Sequence, residues 1–137
     1  MFKNKIIDKE KLIRKLKVHK SKSKKIVLCH GVFDLVHIGH IKYFLKAKKL
    51  GDILIVSLTA DRFVNKGPGR PIFNENLRSE FISNIGSVDY VLINEDSTSV
   101  KLINLVKPDI YFKGKSYKNK KNNITKKIYD EANAVQK

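Results

Sequence analysis

The sequence predicts an α/β protein: a Rossmann-like, doubly wound parallel sheet in a single domain. Three observations predict it. Short apolar runs alternate with segments of helical periodicity along the chain. The runs are continuously apolar, as in strands covered on both faces. The first run leads into a glycine-bearing loop and then a helix, the strand-to-helix junction at which such sheets bind ligands.

The elements follow in order. Asp8 caps a helix over about 9–18, with Leu12, Ile13 and Leu16 on one face. Ser21 to Lys25 is a polar linker, so residues 1–25 read as a basic helix and linker ahead of a domain over 26–137. Ile26-Val27-Leu28-Cys29 is the first strand. Ile41, Phe44, Leu45 and Leu50 mark a helix of about 39–49, which Gly51 stops. Ile53 to Leu58 is the second strand. A long connection from Thr59 to Phe73 contains Gly67-Pro68-Gly69-Arg70-Pro71. Asn74 caps a helix of about 75–84 with Leu77, Phe81 and Ile82 inward. Val88 to Ile93 is the third strand. Ser97-Thr98-Ser99 opens and caps a helix that ends at Lys107-Pro108. Ile110-Tyr111-Phe112 is the fourth strand, and a last helix falls at about 124–134. Strands alternating with helices pair in parallel through right-handed crossovers.

Composition narrows the function. At 137 residues and 42% hydrophobic, the chain fills one core. No run approaches the roughly 18–20 apolar residues of a membrane span. The N-terminus has no secretory pattern, and Cys29 is the single cysteine. These features predict a cytoplasmic protein with no membrane partner, and Cys29 is a small buried core residue.

The net charge of +16 suggests a nucleic-acid binder, but its distribution argues against one. Residues 3–25 hold 11 Lys and Arg against 2 acids, and residues 113–137 hold 8 against 2. Residues 26–112 are nearly balanced, with 10 against 9. The excess lies on the flanks, away from the motif, as solvated charge runs do.

That motif is Gly31-Val32-Phe33-Asp34-Leu35-Val36-His37-Ile38-Gly39-His40. Gly31 ends a strand where a side chain would block the backbone. Gly39 lies at a helix start, where N–H groups and the positive dipole end attract anions. With a helix beginning near Ile38, His37 and His40 project toward one phosphate chain. Each imidazole could donate a hydrogen bond, and a protonated ring would add charge. Their role is transition-state stabilisation, because an attacking phosphate is already ionised. Phe33 shapes the loop by packing and Asp34 by bonds to loop N–H groups. A His-x-x-His pair alone is a weak signal; the whole string between a strand and an amphipathic helix is a specific one. Two histidines and a distant cysteine do not make a zinc ligand set, and no metal-ligating residues are assigned.

These residues resemble the cytidylyltransferase-like nucleotidyltransferases, which share a His-x-Gly-His loop with class I aminoacyl-tRNA synthetases. The resemblance runs from about Ile26 to Tyr117. It implies that His37 and His40 are the catalytic pair and that Gly31, Val32, Phe33, Asp34 and Gly39 bind nucleotide. It further implies that Lys66, in Lys66-Gly67, contacts the triphosphate, and that Arg78 is a phosphate ligand. Glu95-Asp96-Ser97 and the string from Lys107 to Gly114 look most like the adenylyltransferase domain of bifunctional heptose-phosphate kinase/adenylyltransferases. That likeness implies ATP, a sugar 1-phosphate acceptor, and Lys113 and Gly114 near the nucleotide. Mg²⁺ arrives with the triphosphate, and a homodimer is expected from the relatives. Lys115-Ser116-Tyr117 departs from the small residue and Asp-Tyr that follow this glycine in relatives. The fifth strand and Ser/Thr-rich motif of the family are not found before Lys137, which fits a truncated part of a longer protein, a site completed differently, or a weak site. The alternatives are a glycerol-3-phosphate-type enzyme using CTP, a nucleotide-binding module without turnover, and a nucleic-acid-binding protein.

Overall fold

The computed structural model describes residues 5–64 and 67–113. In chain order the elements are α1 (Lys9–Ser21), β1 (Ile26–Gly31), α2 (Ile38–Lys49), β2 (Ile53–Thr59), α3 (Glu75–Ser83), β3 (Tyr90–Asn94), α4 (Val100–Val106) and β4 (Ile110–Tyr111). A 3-10 turn, Asp61–Phe63, follows β2. The expected helix at about 124–134 lies outside the described residues.

The strands form one sheet in the order β3-β2-β1-β4, and all neighbours are parallel. The predicted doubly wound architecture is the observed one. The chain steps from β1 to β2 to β3, then returns through α4 to lay β4 on the other side of β1. The strand order therefore reverses at β1, and the crevice at its carboxyl end is where ligands bind in such sheets.

Two apolar layers enclose the sheet. Val27, Cys29, Leu54, Val56 and Leu58 pack with Phe44 and Ala47 of α2 and Ile82 of α3. Ile26, Leu28, Ile55 and Leu92 pack with Leu12 and Leu16 of α1 and with Leu102, Ile103 and Val106 of α4. The alternation along each strand sorts these residues into two sets. α1 is thus part of the second layer. A 13-residue helix is marginal alone, so its hold comes from Leu12 and Leu16, each contributing roughly 1.5–3 kcal/mol by burial.

Local signals placed most helix ends. Asp8 accepts from Lys11 N and Asn74 from Leu77 N, as N-caps do. Lys107 ends α4 in the left-handed conformation, ahead of Pro108. Gly51 is needed for a different reason from the one predicted. The positive-φ glycines among the described residues are Gly67 and Gly69, not Gly51. A Cβ on Gly51 would come within 2.7 Å of Val27 Cγ2 and 2.9 Å of Lys25 O, so its absence permits close approach of helix end and strand. The cap of α4 also differs. Ser99 makes no side-chain cap and instead bonds the Tyr111 hydroxyl at 2.8 Å, while Thr98 Oγ1 accepts from Val100 N.

The amino edge of the sheet is tied by aspartates. Asp52, Asp89 and Asp109 each sit just before a strand and accept a backbone N–H, from Lys25, Leu54 and Ile26 respectively, at 2.7 Å. These three acids are therefore committed to the end of the sheet away from the glycine-bearing loop.

Candidate active site

The loop between β1 and α2 begins with strain. Phe33 has φ 50°, a left-handed conformation that costs a bulky residue about 1–3 kcal/mol. Its ring packing offsets that cost. The Phe33 ring lies 5.1 Å from Phe44 and 5.9 Å from His40, both edge-on, and it sits beneath Gly31. A Cβ at Gly31 would come 2.9 Å from Phe33 Cζ. Gly31 thus makes room for Phe33, and Phe33 turns the chain toward α2.

At the end of the loop the two histidines fix each other. His37 is the N-cap of α2, and its Nδ1 accepts from Gly39 N at 3.0 Å. His40 Nδ1 accepts from His37 N at 3.2 Å, which completes a reciprocal capping box. The ring centroids are 4.3 Å apart. Because each Nδ1 accepts a backbone N–H, each neutral ring carries its proton on Nε2. This network assigns Nε2–H as the donor a phosphate oxygen would meet. Gly39 is required by His37 itself: a Cβ there would come 2.7 Å from His37 Cε1.

Asp34 acts at long range. Its oxygens accept from Ile72 N at 2.7 Å and Phe73 N at 2.9 Å, with Arg70 Nη1 at 3.5 Å. The sequence predicted bonds to the loop's own N–H groups; the structure shows bonds to a segment 38 and 39 residues away. Desolvation alone would raise this carboxyl, whose side chain is 6% exposed. The Ile72 and Phe73 N–H donors and Arg70 outweigh it and hold the group below the ordinary aspartate value.

Arg78 departs most from its expected role. It was expected to contact phosphate, but its side chain is wholly buried. Nε donates to Phe73 O at 2.9 Å, Nη1 to Val32 O and Thr59 O at 2.8 Å, and Nη2 to Asp61 Oδ1 at 2.6 Å. It joins the loop after β1, the end of β2 and the approach to α3. Four protein acceptors already engage its planar fork, so in this structure it supports the loop instead of meeting phosphate. Drawing Arg78 inward also sets the face of α3. Arg78, Ser79, Ile82 and Ser83 are buried, while Leu77 and Phe81, expected inward, are 51% and 52% exposed. These two border a groove of about 450 Å³ between α3 and the loop, lined also by Phe33, Leu35 and Phe73.

The other predicted residues fall as follows. Val32 lends its carbonyl to Arg78. Lys113 follows β4, with Nζ 4.5 Å from the Tyr111 ring centre, and Phe112 before it bonds to Leu28 O and to the Tyr43 hydroxyl. Lys66 and Gly114 lie outside the described residues. Cys29 is fully buried, and burial pushes its thiol up to about 12, against opposing effects of Tyr43 and Lys113. Sequence reasoning missed His30, the residue before Gly31. Its Nδ1 meets Ser57 Oγ, and its Nε2 lies 3.5 Å from Thr59 Oγ1. A polar ring at the end of an otherwise apolar strand was the available signal.

A strand-end glycine, a strained turn and two mutually capped histidines thus come together at the helix start that follows β1, the kind of junction at which anions bind. The family model for cytidylyltransferase-like proteins matches residues 28–137. The chain belongs to the cytidylyltransferase-like family. On that match it is a nucleotidyltransferase. It is 47% identical over 121 residues to the Bifunctional protein HldE of Campylobacter jejuni subsp. doylei, covering 87% of this chain and 26% of that protein. It is 47% identical over 118 residues to the HldE of Helicobacter pylori strain Shi470, covering 85% and 25%. The HldE of Syntrophotalea carbinolica is 37% identical over 118 residues, with 85% and 24% covered. The chain thus spans about a quarter of the length of these relatives. A crystal structure described as the lipopolysaccharide core biosynthesis protein from Thermoplasma volcanium is 34% identical, with a TM-score of 0.60, covering 72% of this chain and 85% of that one. Among the described residues, no helix is long and apolar enough to cross a membrane.

Proposed function

We propose that this chain transfers an adenylyl group from ATP to the phosphate of a sugar 1-phosphate, most like a heptose 1-phosphate, and releases pyrophosphate. An oxygen of the acceptor phosphate attacks the α-phosphorus. The new P–O bond forms as the bond from the α-phosphorus to the bridging oxygen breaks, and pyrophosphate leaves with that electron pair. The acceptor phosphate arrives ionised, so no general base is invoked. His37 and His40 donate Nε2–H to the triphosphate oxygens where charge grows, aided by the N-terminus of α2. The mutual capping of these two rings carries the reading, because it engages both Nδ1 atoms as acceptors and leaves donation to Nε2. Lys113 adds charge to the triphosphate, and the family resemblance assigns Lys66 to the triphosphate and Gly114 to the nucleotide. The resemblance of Glu95-Asp96-Ser97 and of the string from Lys107 to Gly114 to heptose-phosphate adenylyltransferases supports ATP and a sugar phosphate over CTP and a polyol phosphate.

Mg²⁺ belongs to the same proposal. Among the described residues, no group of three or more His, Cys, Asp and Glu side chains gathers, and Asp34 commits both oxygens to backbone N–H groups. The ion would therefore enter on the triphosphate's own oxygens, where it neutralises charge. The proposal includes a cytoplasmic location, since the reaction consumes ATP, and self-association into a homodimer, to be measured by sedimentation.

The test is pyrophosphate release from ATP and from CTP with heptose 1-phosphate, glucose 1-phosphate and glycerol 3-phosphate. ATP with the heptose phosphate should be fastest. Faster release from CTP with glycerol 3-phosphate would replace this reading with the polyol one. ATP binding by calorimetry without turnover on any acceptor would leave a nucleotide-binding module.

A further inference from the structure

The carboxyl edge of the sheet carries a second polar layer that the nucleotidyl-transfer chemistry above does not use. Along β1 and β2, Ile26, Leu28 and Ile55 face the α1 and α4 layer. His30 and Ser57 continue that set by alternation and are paired in register. There the apolar layer gives way to polar groups. Ser57 is fully buried and meets His30 Nδ1 through its hydroxyl. Thr59, two residues further, places Oγ1 3.5 Å from His30 Nε2 and 3.5 Å from Gly31 O. His30 itself is half-buried.

We propose that His30 is an acceptor-binding residue that recognises a hydroxyl of the phosphorylated sugar, and that Ser57 positions its ring. This rests on the function proposed above. Three considerations support it. First, position: His30 is the residue before the nucleotide loop, on the strand where the sheet order reverses. Second, cost: a strand with only a packing role would continue with an aliphatic residue, as Leu28 does. An imidazole and a serine hydroxyl there carry a desolvation cost that a purely structural strand end avoids. Third, chemistry: imidazole and threonine hydroxyl both donate and accept hydrogen bonds without a fixed charge. That set matches the hydroxyls of a sugar, whereas phosphates are better matched by the histidine pair and the helix start.

The experiment uses the full chain, ATP and heptose 1-phosphate, with KM for each substrate read from pyrophosphate release. His30→Ala should raise the KM for heptose 1-phosphate about tenfold, the loss of roughly one net hydrogen bond. The KM for ATP should stay at the wild-type value. His30→Asn, which keeps a donor and an acceptor, should recover part of the loss, and Ser57→Ala should fall between. If His30→Ala does not fold, His30→Asn and Ser57→Ala carry the same comparison. An unchanged acceptor KM, or an ATP KM that rises in step with it, overturns the assignment while leaving nucleotidyl transfer intact. No pyrophosphate from the wild type with any acceptor overturns both.

Discussion

The two loop histidines and the buried arginine are held in opposite ways. His37 and His40 fix each other through bonds spanning two and three residues, within a single turn of helix. Arg78 joins acceptors that lie 5, 17, 19 and 46 residues away. One device is local and exposed, the other long-range and buried. The difference teaches where chemistry and stability reside. A change at the histidines should remove transition-state contacts with little effect on folding. A change at Arg78 should loosen three segments at once and reach the chemistry only through them.

The largest effect is therefore expected at Arg78. Arg78→Ala should destabilise the fold by about 3–5 kcal/mol in urea melts, because three carbonyls and Asp61 lose their donor together. Arg78→Lys should lose most of that as well, since an ammonium lacks the planar fork. A cost below about 1 kcal/mol would break the comparison, returning Arg78 to the role of phosphate ligand.

Next come the histidines. His37→Ala or His40→Ala should lower turnover by about a hundredfold or more. Each should cost only about 1 kcal/mol of stability, the worth of a helix cap. Substrate-dependent pyrophosphate release matching the wild type would refute their catalytic role.

Asp34 stands between the two, since it belongs to the loop yet bonds at long range. Asp34→Asn should cost about 2 kcal/mol, because one amide oxygen replaces two charged acceptors. The pH dependence has a definite sign. The folded carboxyl is held below its ordinary value, so its contribution is present above the unfolded aspartate value and is lost as pH falls through the folded one. The low-pH loss of stability should be smaller in Asp34→Asn than in the wild type; equal slopes would remove the long-range half of its role.

Gly39→Ala sharpens the local side. Its Cβ would come 2.7 Å from the His37 ring, so the ring must turn. Turnover should drop by roughly tenfold, while the melting point moves by no more than a few degrees. The smallest effect is at Cys29. With its thiol pushed up to about 12 by burial, it should react with a thiol reagent only as fast as the chain unfolds. Rapid labelling of the native chain would contradict the packing of β1 against α2.

What the sequence determined by itself was what contacts within four residues encode. Continuous apolar runs marked the strands, and periodicity marked the helices. Asp8 and Asn74 announced their caps by residue type, and the spacing of His37 and His40 brought two rings together at one helix start. The tertiary structure decided the rest. The pattern of α3 put Leu77 and Phe81 inward, because periodicity alone favours apolar residues over an arginine. Arg78 goes in because Val32, Thr59, Phe73 and Asp61 supply acceptors there, and only the folded chain brings those four together. His30 stayed unread for the same reason: its partners Ser57 and Thr59 lie on another strand. A buried polar group is acceptable only where its hydrogen bonds are met, and in this fold they are met by residues far away in sequence.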